Sequence, residues 1–514
     1  MLESMSPKDT AARRLARHLA STAAGRFAGL VVGIALSPLL LTDLGPAGFG
    51  AWALALAVSI HASVITELGS GTALIYGVAQ ARAEGDARAA ARALGCHLSW
   101  CCGVLTTGLF AAPLLTPLVS AWLAHLLGST RVEPVSQLLL AATLSGLAKP
   151  ALLSWDCLLQ GQQRHARSAR LATLRALAWA ALALTTLRLG GGPLELVLAD
   201  LALAVALAPI GFLDARRGSD GALLARPGPG ELRAHLGYGL RVYASLMAEL
   251  VQGQSDKLLL GFERGSIAVQ SYELGQKIPL TGRGLLGLLG QVLMPATPTL
   301  GDRAAITELH RRVQTALNLG SMLLFGFTAL AAPRLLGAWL GSERVDPDMI
   351  SCLRILSLAA AASCASLAAV HLARGLGQLE VELRCALCFG ILGVASRALG
   401  LWLWGLEGLL LAIAVSACAL ALAQHVNLAP ELGYQAFERG ARTALRPALA
   451  SLAALAPVLA YEAFAAPLSA GREQALIDLA SELALFAPTA LVTSHLSGAD
   501  EGLVSRLFGS LRGL

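Results

Sequence analysis

Residues 19–68 read LASTAAGRFAGLVVGIALSPLLLTDLGPAGFGAWALALAVSIHASVITEL. Two apolar runs, 19–41 and 47–68, flank the short polar hinge TDLGP. Each run reaches the ~20 residues that carry a helix across a ~30 Å hydrocarbon core. Arg13, Arg14 and Arg17 precede the first run, as basic residues precede a secretory leader. An apolar leader core is only about 7–15 residues long, and here a second run follows at once. The first run is therefore read as a retained span, and the stretch as two membrane helices joined by a glycine-proline turn.

The same pattern fills the rest of the chain. Further runs fall at 93–115, 135–159, 168–187, 194–213, 235–260, 266–296, 313–333, 349–373, 383–400, 402–424, 445–465 and 475–496. The 514 residues are 55% hydrophobic and 14% charged, against about 25% charged in a soluble globular protein. The expectation is an all-α integral membrane protein of fourteen transmembrane helices, without a separate soluble domain. The stretch from 93 to 127 exceeds one span, so Trp122 to Leu127 is expected to form an interfacial helix, and Trp339 sits in a similar context. The net charge of +6 does not indicate nucleic acid, because the bases sit in short loops between apolar runs.

Those loops alternate in charge. One set carries Arg13, Arg14 and Arg17, then Arg82, Arg88 and Arg92, then Arg164, Arg167 and Arg170, then Arg216, Arg217, Arg226 and Arg233, then Arg303, Arg311 and Arg312, then Arg439 and Arg442. The other set carries isolated bases such as Arg131, Arg188, Arg264, Arg334, Arg344 and Arg472. Basic loops stay in the cytoplasm, so both termini are expected inside, which requires an even number of spans.

The chain also repeats itself. GSTRVEP at 128–134 returns as GSERVDP at 341–347, an offset of 213 residues. Gly161 and Gly375 are 214 apart, and Gly85-Asp86 and Gly301-Asp302 are 216 apart. Six spans separate equivalent points, so both halves share one orientation, the parallel-repeat plan of some transporters. The expected division is a six-helix lobe over 1–225, a second over 226–430, and two additional helices over 431–514.

Ionised groups inside a bilayer cost about 2.5–3.5 kcal/mol each on insertion scales, so they mark function by default. Span seven places Arg241, Ser245, Glu249, Gln252 and Asp256 on one helical stripe. Span eight places Glu273 and Lys277 at i, i+4, able to pair, with Pro279 expected to bend or break the helix and Arg283 beyond it. Arg26 lies inside span one, where a guanidinium needs an anion or water. Glu67 sits in TELGSG, whose Gly69 and Gly71 can interrupt span two. Lys149 and Asp156, seven apart in span four, share nearly one face. Arg397, near an outer span end, is expected to snorkel. Only four of the 39 basic residues are lysines, and Lys149, Lys257 and Lys277 lie in or beside spans. An ammonium that can lose its proton when buried fits those places.

Nothing points to catalysis, a metal or a cofactor. The sequence contains no P-loop and no HExxH or GxSxG pattern. Cys385 and Cys388 form a CxxC, but it falls within a span without a second pair and reads as small helix residues.

LTDLGPAGFGAWALALAVSIHASVITELGSGTAL (41–74) resembles the first two spans of polysaccharide-biosynthesis flippases. QSDKLLLGFERGSIAVQSYELGQKI (254–278) resembles their seventh and eighth, with LMPATPTLGD (293–302) and LLGAWLGS (335–342) following in order. That superfamily also holds multidrug exporters and lipid-linked peptidoglycan precursor flippases. The resemblance implies a MATE-like fold of two pseudo-symmetric six-helix lobes plus two C-terminal helices. It implies a polyprenyl-pyrophosphate-linked oligosaccharide repeat unit as substrate, moved by alternating access across a bacterial inner membrane for surface polysaccharide assembly. Arg26, Arg241 and Arg283 would then be cavity cations, joined by Glu249, Gln252, Asp256 and Lys277 in binding substrate, with Glu67, Lys149, Asp156 and Glu273 serving coupling or gating. Membrane lipids, a polymerase or a chain-length regulator are the implied partners. Two alternatives stand beside it: a cation-coupled drug exporter of the same fold, disfavoured by Arg26 where exporters often carry an acid, and a membrane glycan polymerase or ligase, disfavoured by short outer loops.

Overall fold

A computed structural model describes residues 7–127, 132–219, 223–228, 230–290, 293, 303–376, 379–432, 451–458 and 472–496; for 7–28, 118–127, 132–135, 244–253, 379–383 and 428–432, among others, it describes the backbone alone. The described residues contain helices and no β-strand. They fall into two compact units, Met1–Gln270 and Ser271–Leu514.

The first unit opens with α1 (Pro7–Glu67), which breaks at Gly45. Its φ of 68° and ψ of 173° are open to glycine, and Pro46, lacking an N–H, starts the next arm. The two predicted spans are thus the two arms of α1. A second break, at Leu68 (φ 43°) and Gly69 (φ 72°), separates α1 from α2 (Ser70–Glu84), where the TELGSG motif predicts an interruption. α3 (Ala87–Leu127) follows, capped by Asp86, which accepts from the Ala89 N–H at 2.9 Å. That bond, aided by Arg92 and Arg88, holds the Asp86 carboxyl below the usual range. α3 runs unbroken to Leu127, so Trp122 to Leu127 extend it instead of forming a separate interfacial helix; this segment holds no glycine that could stop it.

α4 (Val132–Leu152) and α5 (Ser154–Gly161) divide the fourth predicted span at Leu153. α6 (His165–Arg188), α7 (Pro193–Arg216) and α8 (Glu231–Arg264) complete the unit. α1 packs on α4 and α6, α3 on α4, and α8 on α1, α2 and α3. α8 ends at Gly265, whose φ of 79° and ψ of −175° repeat the Gly45 break 220 residues later.

α9 (Ser266–Gly290) crosses the boundary between units and continues through Pro279 without a break, which leaves a bend as the remaining form of the expectation. A helix tolerates a proline when nearby groups satisfy what it frees. The second unit then runs through α10 (Arg303–Leu330), the short α11 (Ala332–Leu340), α12 (Pro347–Gly375), α13 (Leu379–Leu432), α14 (451–458) and α15 (Arg472–Leu496). α13 breaks at Gly405 (φ 64°, ψ −144°). A β-carbon on Gly400 would lie 2.4 Å from the Gly408 carbonyl oxygen. Residues eight apart on a straight helix stand about 12 Å apart, so the chain folds directly back on itself.

Eight described segments are long and apolar enough to cross a membrane. Two of them, Val31–Glu67 and Leu387–Gln424, contain the breaks at Gly45 and Gly405. α8, α9 and α15, of 34, 25 and 25 residues, stand where spans seven, eight and fourteen are expected. The thirteenth, 445–465, lies largely outside the described residues.

Candidate functional site

The first unit contains a cavity of about 610 Å³ between α1, α4, α5, α6 and α7. Glu67, Lys149 and Asp156 all line it, with His97 from α3. The break at Leu153 turns the chain between Lys149 and Asp156, and the two residues have different partners. Lys149 Nζ meets Asp200 on α7 at 2.6 Å and donates to Ser59 Oγ at 3.2 Å. Arg175 on α6 reaches the other Asp200 oxygen at 3.4 Å. Lys149 and Asp200 are each about 15% exposed. Asp156 accepts from Gln160 Nε2 at 2.9 Å and from the Ser168 hydroxyl. Glu67, the last residue of α1, accepts from the Gly71 N–H across the break. A side chain at 71 would collide with it, since a β-carbon there would lie 2.0 Å from Glu67 Oε1.

Asp200 and Arg175, not among the candidates read from the sequence, belong to this cluster. Their signal is the general one: an acid within the apolar run LVLADLALAV and a base within span five. Two cations around one carboxylate, with two further carboxylates on the wall, make a site whose charge balance changes with one proton.

At the end of α7, Asp214 accepts from Arg164 at 3.1 Å and Arg167 at 2.5 Å. These are bases of the loop set expected in the cytoplasm.

The remaining candidates lie on α1, α8 and α9. Arg26 lies on α1, and Arg241, Glu249 and Gln252 on α8, with side chains outside the described residues. Asp256, on the same helix, is buried, and so is its neighbour Lys257. In the second unit Glu273 and Lys277 pair at 3.8 Å, and Gln276 donates to Glu273 at 2.7 Å. Arg283, further along α9, is exposed. Arg397 is buried, 4% exposed, and does not snorkel. Cys385 and Cys388 are free thiols, one buried and one exposed. The described residues hold no cluster of three or more metal-ligating side chains.

Long apolar helices, glycine breaks at matching positions and a buried charged cavity define a polytopic α-helical membrane protein of the MATE-like fold. Solved structures share that fold. A lipid II flippase, MurJ, in an inward closed conformation matches with a TM-score of 0.69 and 10% identity, over 92% of this chain and 98% of its own. DinF-BH, a MATE multidrug transporter, matches at 0.60 and 15% identity, over 81% and 95%. A Vibrio cholerae MATE transporter matches at 0.56 and 18% identity, over 82% and 97%. No curated protein matches the chain. Residues 15–300 match the family model described as polysaccharide biosynthesis protein, and the chain belongs to that family.

Proposed function

We propose that this protein is a flippase that carries polyprenyl-pyrophosphate-linked oligosaccharide repeat units from the cytoplasmic to the outer leaflet of a bacterial inner membrane. Membership of the polysaccharide biosynthesis family carries the reading, and the fold shared with a lipid II flippase supports it. The chain acts as a carrier and not as an enzyme. Both termini face the cytoplasm, as the loop charges suggest. The recurring break at Gly45 and Gly265 supports two repeated lobes, 1–225 and 226–430, followed by two helices in 431–514.

Arg26, Arg241 and Arg283 take the pyrophosphate, for which a guanidinium offers a planar fork of donors, joined in substrate binding by Glu249, Gln252, Asp256 and Lys277. Glu67, Lys149 and Asp156, joined by Asp200 and Arg175, couple transport to an ion or potential in the first lobe. Glu273 serves the same purpose beside Lys277. A polymerase or chain-length regulator would receive the product. The MATE neighbours support one other reading, cation-coupled drug export.

Depleting the protein in its host and weighing the polyprenyl-linked glycans by mass spectrometry separates the two. Accumulation of one intact repeat unit on the cytoplasmic face is the expected result. An unchanged lipid-linked pool with raised sensitivity to cationic drugs would replace flipping with drug export.

A further inference from the structure

Away from the ion pairs, the cavity wall at His97 opens onto a second polar cluster. Ser70, the first residue of α2, is fully buried, and its hydroxyl lies 2.9 Å from His97 Nδ1 and 2.9 Å from His235 Nε2. His97 Nε2 lies 3.2 Å from the Pro150 carbonyl, where α4 nears its end beside Lys149. A carbonyl only accepts, so His97 Nε2 carries a proton. Neutral His97 then accepts at Nδ1, Ser70 donates to it, and the serine oxygen accepts from His235 Nε2–H. One directed chain therefore runs from α8 through α2 and α3 to α4.

The same helices meet backbone to backbone beside this chain. A β-carbon on Gly69 would lie 2.2 Å from the Gly239 carbonyl oxygen. Tyr76 stacks on Tyr238 with ring centroids 4.6 Å apart. The contact falls where α1 gives way to α2, at the only non-glycine positive φ in that stretch of described residues, Leu68. The Thr66 carbonyl, left over at the end of α1, accepts from Trp100 Nε1 at 2.8 Å. A break in one helix, a close glycine crossing and a relay of three side chains thus coincide at one end of α8.

We propose that Ser70, His97 and His235 form a proton-operated latch that holds the first turns of α8 on α2 and α3 and releases them when both imidazoles are protonated. With one imidazole neutral, the serine hydroxyl has an acceptor. With both protonated, each presents only N–H groups to the same oxygen, the hydroxyl loses its acceptor, and two cations flank it in a low-dielectric interior. Around the pair stand Glu67 on α1, Tyr76 on α2, Arg92 and Cys101 on α3, Lys149 on α4, Cys157 on α5 and Glu231 and Tyr238 on α8. Arg92 and Glu231 pair with each other at 2.9 Å. Two imidazoles that share one buried oxygen take up the second proton only below the ordinary histidine range of about pH 5–8, and Glu67 is the carboxyl to be controlled for. In a carrier the latch would gate the end that loop charges assign to the cytoplasm, so its purpose rests on the flippase reading, although its opening can be observed without substrate.

Hydrogen–deuterium exchange of the full chain in lipid nanodiscs tests this, read on peptides covering the start of α8. Ser70→Ala should exchange about five-fold faster than wild type at pH 7.5, the factor given by one net hydrogen bond, with exchange in α12 unchanged as evidence of folding. His235→Gln cannot be protonated. The ratio of wild-type to His235→Gln exchange at a given pH cancels the intrinsic chemistry, and it should rise on going from pH 7.5 to pH 4. The same rise should persist in a Glu67→Gln background. A ratio that is flat with pH overturns the latch, as does a rise abolished by Glu67→Gln. If the latch behaves as described while depletion leaves the lipid-linked glycans unchanged, only the flippase reading falls.

Discussion

Asp200 shows what one residue does in a membrane interior. It bridges Lys149 at 2.6 Å and Arg175 at 3.4 Å, and removing one partner of a buried pair costs about 3–5 kcal/mol because the other charge stays behind. Asp200→Asn should therefore lower the melting temperature measured in detergent sharply. The double substitution Lys149→Met with Asp200→Asn should restore most of the loss, since it leaves one cation fewer in the cavity. Equal melting for the single and double variants would show that a stranded Lys149 is not the source of the loss. Lys149→Arg keeps the charge but not the compact ammonium. It should retain the fold and lose flipping, measured as accumulation of the lipid-linked repeat unit, whereas normal transport would remove the reason for a lysine here. Lys149, Asp156 and Glu67 are legible in the sequence because charge inside an apolar run stands out by itself. Their partners are not, because Asp200 lies 51 residues from Lys149 and pairing between spans depends on how helices rotate against each other.

At the scale of an element, apolar runs mark helices well and say little about how they end. The hydropathy pattern divides α13 near residue 401, whereas the chain turns at Gly405 and returns with Gly400 and Gly408 in contact. No polar loop marks such a reversal, because glycine alone supplies both the positive φ and the close approach. α3 errs in the opposite direction: it continues where its length suggests a break. Glycine substitutions within α13 separate the two roles. A β-carbon on Gly408 would lie 2.1 Å from the Gly400 carbonyl oxygen, while one on Gly393 meets nothing within 4 Å. Gly408→Ala should destabilise by about 1–3 kcal/mol as an overpacked contact. Gly393→Ala should stabilise by about 0.5–1 kcal/mol as a helix-interior replacement. Thermal unfolding of the two variants in one detergent gives both signs, and a tolerated Gly408→Ala would mean that the two arms do not touch.

At the scale of the molecule, the internal repeat leaves residues 431–514 looking like an appendage, yet their described helices, α14 and α15, pack into the interior of the second unit. Arg334 on α11, which the loop charges count among isolated outer bases, is 4% exposed and paired with Glu482 and, at 3.7 Å, Asp478, both on α15. Phe327 and Ala331, at the end of α10, form a buried cluster with Leu455 and Val458 of α14, and Leu479 and Phe486 of α15 pack against it. Phe327 and Phe486 lie 4.8 Å apart, centroid to centroid. The repeat could not reveal this, because the first half has no counterpart of Glu482 for Arg334 to match. Lipid cannot replace the carboxylates around a guanidinium, and hydrocarbon drives helix association through packing and buried polar contacts. A chain ending at 430 should therefore fail to accumulate in the membrane. Arg334→Met alone, which strands Glu482, should cost about 3–5 kcal/mol, whereas Arg334→Met with Glu482→Met should melt close to wild type, as replacing a buried pair by apolar side chains often does. If the truncated protein instead accumulates and melts like the full chain, the C-terminal helices are dispensable to the fold, and their role must be sought in what they bind outside the second unit.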